Sequence, residues 1–117
     1  MAQQKVDITI TDEGDYKLLR ATGDLDVYTV GSLRDAIGQI VSQDRPKVVV
    51  DLDAVPFMDS SGLGALMGGV RRLREADGDL AIACTREQHL KLFSITGFGE
   101  GVTIAPTVEE AAQGFKS

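Results

Sequence analysis

The chain has 117 residues, 43% of them hydrophobic and 26% charged, which is the size and balance of one soluble globular domain able to bury its core without metal or disulfide support. Its formal net charge of −6 argues against direct nucleic-acid binding and against docking on an anionic membrane, both of which need a basic footprint. The single cysteine, Cys84, rules out an intrachain disulfide, and no apolar run approaches the ~20 residues of a membrane span.

The first residues, Met1 to Asp7, lack the apolar core of a signal peptide, so the sequence reads as cytoplasmic, with one domain over 1–117. Val6, Ile8 and Ile10 alternate with Asp7, Thr9 and Thr11, the period-2 pattern of a half-buried strand. Asp12-Glu13-Gly14-Asp15 is a turn cluster, and Tyr16 to Thr22 follows as a second strand, which together predict an antiparallel hairpin. After Gly23-Asp24-Leu25-Asp26, apolar residues Val30, Leu33, Ile37, Ile40 and Val41 recur at helical spacing until Pro46 forbids continuation. Lys47 to Leu52 is β-branched and reads as a strand buried on both faces.

A loop is expected from Asp53 to Asp59, then a second amphipathic helix marked by Leu63, Leu66, Met67, Val70 and Leu73. Leu80 to Cys84 reads as a buried strand, Arg86 to Ile95 as a third helix, Val102 to Ile104 as a short strand, and the stretch after Pro106-Thr107 as a last helix. The order β-β-α-β-α-β-α-β-α predicts an α/β fold: a mixed, mostly parallel sheet with an antiparallel edge hairpin and helices packed mainly on one side.

The richest stretch chemically is Met58-Asp59-Ser60-Ser61-Gly62-Leu63-Gly64, at the junction of a buried strand and a helix. Function concentrates at the carboxyl ends of strands in open α/β sheets. Asp59 and Ser60 are N-cap residue types, and the N–H groups of Ser61, Gly62 and Leu63 are expected as unpaired donors at the helix mouth. Structure alone accounts for such a run if Asp59 or Ser60 caps the helix and the glycines permit close packing.

The run Phe57 to Gly64 also resembles the signature of bacterial anti-sigma factor antagonists, a group of STAS domains. Gly23-Asp24-Leu25-Asp26 resembles that family's Gly-Glu-Leu-Asp turn, with Asp24 where Glu is commoner. Val48 to Leu52, Leu92-Phe93 and Gly97-Phe98 resemble its neighbouring segments, so the likeness covers nearly the whole chain. The resemblance implies a STAS-like fold and a phosphorylation switch. The unphosphorylated antagonist would bind and sequester an anti-sigma factor that is also a serine kinase of the GHKL-type ATPase class, releasing the sigma factor. Phosphorylation of Ser60 would switch it off, and a PP2C-type phosphatase would reset it. Asp24, Asp26, Asp59, Ser60, Ser61 and Gly62 are the partner-binding candidates. No catalytic residue, metal or cofactor is expected.

Other residues carry plainer readings. Asp24 and Asp26 could make the turn beside Gly23 instead of meeting a partner. Thr29 reads as a helix start, His89 as a surface or packing residue, and Arg71, Arg72 and Arg74 as a solvated helix face that could otherwise meet an acidic patch on a partner. A serine hydrolase would need a base near Ser60 and a Gly-x-Ser-x-Gly elbow, which is absent. A phospho-receiver using Asp51 or Asp53 would need a lysine after the last strand, and none precedes Lys116. The remaining alternative is a STAS scaffold or accessory subunit of a signalling or lipid-transport complex.

Overall fold

The structure, a computed structural model, describes residues 5–116. Its sheet is built from β1 (Asp7–Asp12), β2 (Lys17–Thr22), β3 (Lys47–Ala54), β4 (Asp79–Ala83) and β5 (Ile104–Ala105), in the spatial order β1-β2-β3-β4-β5. Only β1 and β2 are antiparallel, with Ile8 opposite Ala21 and Ile10 opposite Leu19; the remaining pairs are parallel. The hairpin turn is closed by Gly14 N–H donating to Asp12 Oδ1 at 2.9 Å, with Gly14 at φ 92°.

Each parallel neighbour is reached through a helix: α1 (Val30–Val41), α2 (Ser60–Glu75) and α3 (Glu87–Thr96). Successive right-handed crossovers that advance in one direction across a sheet leave their helices on the same face. That face holds the main core, where Leu33, Ile37 and Ile40 of α1, Leu66 and Leu73 of α2 and Phe93 of α3 pack on Leu19, Val48, Val50, Leu80 and Ile82. α1 and α2 come close because Gly69 has no side chain: a Cβ there would stand 2.8 Å from Ile37 Cδ1. Burying each such Leu or Ile contributes about 1.5–3 kcal/mol, so this seam is what fixes the two helices to the sheet.

α4 (Val108–Gln113), with Phe115 of the 3-10 turn that follows it, covers the opposite face, over Leu18, Val49, Ala81 and Ala83. The small alanines of β4 let Ala111 sit directly on the strand. Thr107 caps α4 by accepting from Glu110 N–H at 3.1 Å.

The sequence boundaries shift in places. β3 runs two residues past Leu52, because Thr22 pairs with Ala54 beyond an irregularity in β2. β5 is Ile104–Ala105 rather than Val102–Ile104, because the residues that meet β4 are Ile104 opposite Ile82 and Ala105 opposite Ala83. α3 stops at Gly97 in the left-handed conformation, φ 72°, and a short 3-10 turn, Phe98–Glu100, stacks Phe98 on Phe93 with ring centroids 5.2 Å apart.

Candidate functional site

Two loops meet at the carboxyl end of the sheet. The parallel pairing of β2 and β3 does not stop at the strand ends. Gly23 N–H donates to Ala54 O at 3.0 Å, Leu25 N–H to Phe57 O at 2.9 Å, and Asp59 N–H to Leu25 O at 3.2 Å. Leu25 and Met58 form an isolated parallel bridge, and both side chains are buried. Asp24 and Asp26 flank Leu25, so this pairing brings the turn Gly23–Asp26 alongside Asp59 and Ser60. The junction is tied to the body from a third side by His89 of α3, 2% exposed, whose Nε2–H donates to Val55 O at 2.6 Å. His89 is therefore a packing residue.

Asp59 caps α2. Its Oδ1 accepts from Ser61 N–H at 2.8 Å, while its carbonyl accepts from Gly62 N–H at 3.1 Å and Leu63 N–H at 3.2 Å. The three amides expected as unpaired donors are thus all engaged by this one residue, which leaves none of them for an added anion. Ser60 is the first helical residue and is exposed. Among the described residues nothing hydrogen-bonds its hydroxyl, because Asp59 has taken the capping role that Ser60 could have filled. Ser61 is half-buried, one step into the first turn.

Gly62 is buried, and its missing side chain answers to the interior: a Cβ would stand 2.5 Å from Met58 Cγ and 3.2 Å from Leu25 Cβ. The glycine lets Met58 and Leu25 slide under the helix mouth and hold both loops at this height.

The two acids of the first loop differ. Asp26 is committed to starting α1: its Oδ1 accepts from Tyr28 N–H at 2.9 Å and Thr29 N–H at 3.1 Å. Thr29, 4% exposed, donates its hydroxyl to Asp24 O at 2.7 Å and accepts from Asp26 N–H at 3.0 Å, so it is a structural pin. The Asp24 side chain, half-buried, makes no hydrogen bond or ion pair among the described residues. No cation pairs with Asp24, Asp26 or Asp59 there either; the three ion pairs formed are Lys17–Asp12, Arg20–Asp51 and Arg74–Asp79. The mouth of α2 is a patch of uncompensated negative charge.

Around it stand apolar side chains that sequence reasoning did not single out. Tyr28 is 87% exposed, Val27 66% and Phe57 50%. They sit in the same two loops, next to Asp26 and Met58. Loop apolars have no period to give them away, and only the Leu25–Met58 bridge reveals that they share a rim. An exposed apolar rim around a polar centre is the composition of a protein-binding surface.

Asp51 and Asp53, six to eight residues earlier, are occupied. Arg20 Nε donates to Asp51 Oδ2 at 3.0 Å, and Asp53 Oδ1 accepts from Thr85 N–H at 2.6 Å and Thr85 Oγ1 at 3.0 Å. Cys84 lies beneath, 1% exposed, and burial pushes its thiol above the ordinary value, which makes it an inert core residue. Among the described residues no group of three or more His, Cys, Asp or Glu side chains could hold a metal ion, and no helix is long and apolar enough to cross a membrane.

The model of the STAS domain matches residues 7–111. The chain is 37% identical over 89 residues to an anti-sigma-B factor antagonist of Staphylococcus epidermidis, covering 76% of this chain and 82% of that protein. Its fold is similar to the crystal structure of an anti-sigma factor antagonist from Mycobacterium paratuberculosis, with TM-score 0.88, 24% identity and coverage of 99% and 98% of the two chains. It is also similar to the Bacillus cell fate determinant SpoIIAA solved in its phosphorylated form, with TM-score 0.71, 26% identity and coverage of 92% and 97%.

Proposed function

The chain belongs to the STAS domain family, among its anti-sigma factor antagonists, and from that premise we propose that Ser60 is the switch of a partner-exchange cycle. In its unmodified form the protein acts in the cytoplasm by binding, not by catalysis. It docks the two loops at the mouth of α2 on an anti-sigma factor with GHKL-type serine kinase activity and so keeps that factor from the sigma factor. Asp24, Asp26, Asp59, Ser60, Ser61 and Gly62 form the centre of the contact, Gly62 through its backbone and by holding the loops in place. Val27, Tyr28 and Phe57 supply its apolar rim. The kinase phosphorylates Ser60, and a PP2C-type phosphatase removes the phosphate.

One observation carries this reading. Ser60 is exposed, and its hydroxyl has no partner among the described residues, while Asp59 does the capping beside it. A serine that the fold needed would be tied down as Thr29 is. The relative solved in a phosphorylated form is in keeping with such a modification.

The charges give the switch its direction. A phosphoserine carries about −1.5 to −2 charges. The helix dipole would favour that charge by about 0.3–1 kcal/mol. Against this, Asp59 already occupies the first-turn amides, and Asp24 and Asp26 stand in the paired loop with no cation between them. Sealing a doubly charged group against a partner must also desolvate it. The phosphate therefore weakens docking while leaving the fold intact, since nothing inside the protein depends on the Ser60 hydroxyl.

A pull-down with the wild-type protein, with and without ATP, tests the reading. Recovery of a GHKL-type ATPase that is released when ATP is added supports it. Recovery of a membrane permease, unaffected by ATP, contradicts it and favours a transport-associated role.

A further inference from the structure

α2 carries Gly64 and Gly68 one and two turns beyond Ser60, on the same side of the helix, and Arg71 and Arg72 continue that stripe by another turn. Glycine is among the poorest helix formers, so a mid-helix glycine calls for a reason. Gly69 and Gly62 have one inside the protein, in Ile37 and Met58. Gly64 and Gly68 have none: a Cβ at either would find no atom within 4 Å. The space above them is the floor of a groove of about 260 Å³ between α1 and α2, lined also by Arg34, Arg71 and Arg72.

In a chain of net charge −6, this groove is lined by three arginines and no carboxylate. None of the three takes part in an ion pair among the described residues, whereas Arg20 and Arg74 are both paired with aspartates. Arg72 reaches over the seam to α1, where a Cβ on Gly38 would stand 3.2 Å from its Nη2. The fold thus offers a bare helix backbone flanked by unneutralised guanidinium groups, geometry suited to close approach and to carboxylates held in paired hydrogen bonds.

We propose that this groove seats an acidic helical segment of a protein partner, laid along Gly64 and Gly68 with its carboxylates on Arg34, Arg71 and Arg72. The proposal rests on the antagonist reading for the partner's identity: the groove begins one turn from Ser60, so the anti-sigma factor that covers Ser60 would extend into it. Its place on the stripe also separates two tasks. The mouth of α2 senses modification, and the groove supplies affinity that modification does not touch.

The test is an NMR titration of the full-length ¹⁵N-labelled protein with a stapled polyalanine helix bearing four glutamates on one face. The same helix with glutamines is the control. Saturable shifts centred on the amides of Gly64, Gly68 and Gly38 are expected, at least tenfold weaker with the glutamine helix and with the triple variant Arg34→Ala, Arg71→Ala, Arg72→Ala. The double variant Gly64→Ala, Gly68→Ala should melt a few degrees higher, because alanine favours the helix, and yet bind at least fivefold more weakly. Unchanged affinity in that stabilised variant, shifts scattered over the surface, or binding to phosphatidylglycerol vesicles in place of the peptide would overturn the proposal. Phosphotransfer to Ser60 is measured separately. If it persists while the peptide fails to bind, only the groove is lost and the antagonist reading stands.

Discussion

Two acidic clusters lie toward the carboxyl ends of β2 and β3, and the fold treats their polar groups differently. Asp51 and Asp53 are consumed internally, by Arg20 and by Thr85, and Arg86 Nε adds a hydrogen bond to Asp53 O at 2.8 Å. On the other side of the sheet end, the Asp24 side chain has no partner among the described residues, and the exposed Ser60 hydroxyl beside the Asp59 cap has none either. Both clusters are acidic and both border a loop. What separates structure from function is whether the polar groups are answered from within, and the unanswered cluster is the one ringed by exposed Val27, Tyr28 and Phe57.

The largest expected effect is on binding and comes from charge placed at the unanswered site. Phosphoserine at position 60 should lower affinity for the anti-sigma factor on the order of 100-fold, about 3 kcal/mol. Ser60→Asp should lower it less, having less charge and fewer acceptor oxygens. Calorimetric titration gives the affinities, and circular dichroism should show no change of fold in either. A Ser60→Asp protein that binds as tightly as wild type would remove the distinction between the two clusters.

Truncating the rim sharpens it next. Tyr28→Ala and Phe57→Ala should each cost about 1–2 kcal/mol of binding, as exposed aromatic anchors do, while stability moves by less than about 0.5 kcal/mol. The two observables should invert on the other side. Asp53→Ala should cost about 1 kcal/mol of stability, through the hydrogen bonds to Thr85, with affinity unchanged. Asp24→Ala should leave urea denaturation untouched and weaken binding. If Asp24→Ala unfolds the protein as readily as Asp53→Ala, the inside-versus-outside comparison fails.

The smallest effect lies far from both clusters, at the hairpin turn. The hydrogen bond from Lys17, then that from Gly14 N–H, then the Lys17 charge hold the Asp12 carboxyl below its ordinary value. A carboxylate with a lowered pKa in the folded state stabilises above its unfolded pKa, and that stabilisation is lost as pH falls through the folded value. Acid titration followed by NMR should therefore show Asp12 protonating at lower pH in the wild type than in Lys17→Met, and the small stability advantage of the wild type, present at neutral pH, should fade as pH falls through that range.

Much of this was legible in the residues alone. The helical spacing of Val30, Leu33, Ile37 and Ile40 marks a face set by burial, and burial leaves a periodic trace; the period-2 run at Val6–Ile10 marks a strand too, although only Val6 and Ile8 pack against the core and Ile10 is exposed at the sheet edge. The position of Ser60 at a strand–helix junction was legible too, and the structure places it exposed at the first turn of α2. Less visible were features that depend on two segments meeting. β3 extends to Ala54 only because Thr22 is there to pair with it. The turn Phe98–Glu100 forms because Gly97 can turn left-handed and Phe98 can reach Phe93. The capping of Ser61 N–H by the Asp59 side chain is a matter of one rotamer, and the rim of Val27, Tyr28 and Phe57 exists only once Leu25 has bridged to Met58. In sequence these are merely apolar residues in loops, a class as often buried as exposed.

Ser60, the exposed serine at the mouth of α2, rather than half-buried Ser61, is the residue proposed to receive the phosphate. Phosphopeptide mass spectrometry after incubation with the anti-sigma kinase and ATP tests it directly, using wild type, Ser60→Ala and Ser61→Ala. The account predicts phosphate on Ser60 in the wild type, none in Ser60→Ala, and continued incorporation at Ser60, at a reduced rate, in Ser61→Ala. Phosphate on Ser61 of the wild type, or undiminished incorporation in Ser60→Ala, would contradict it.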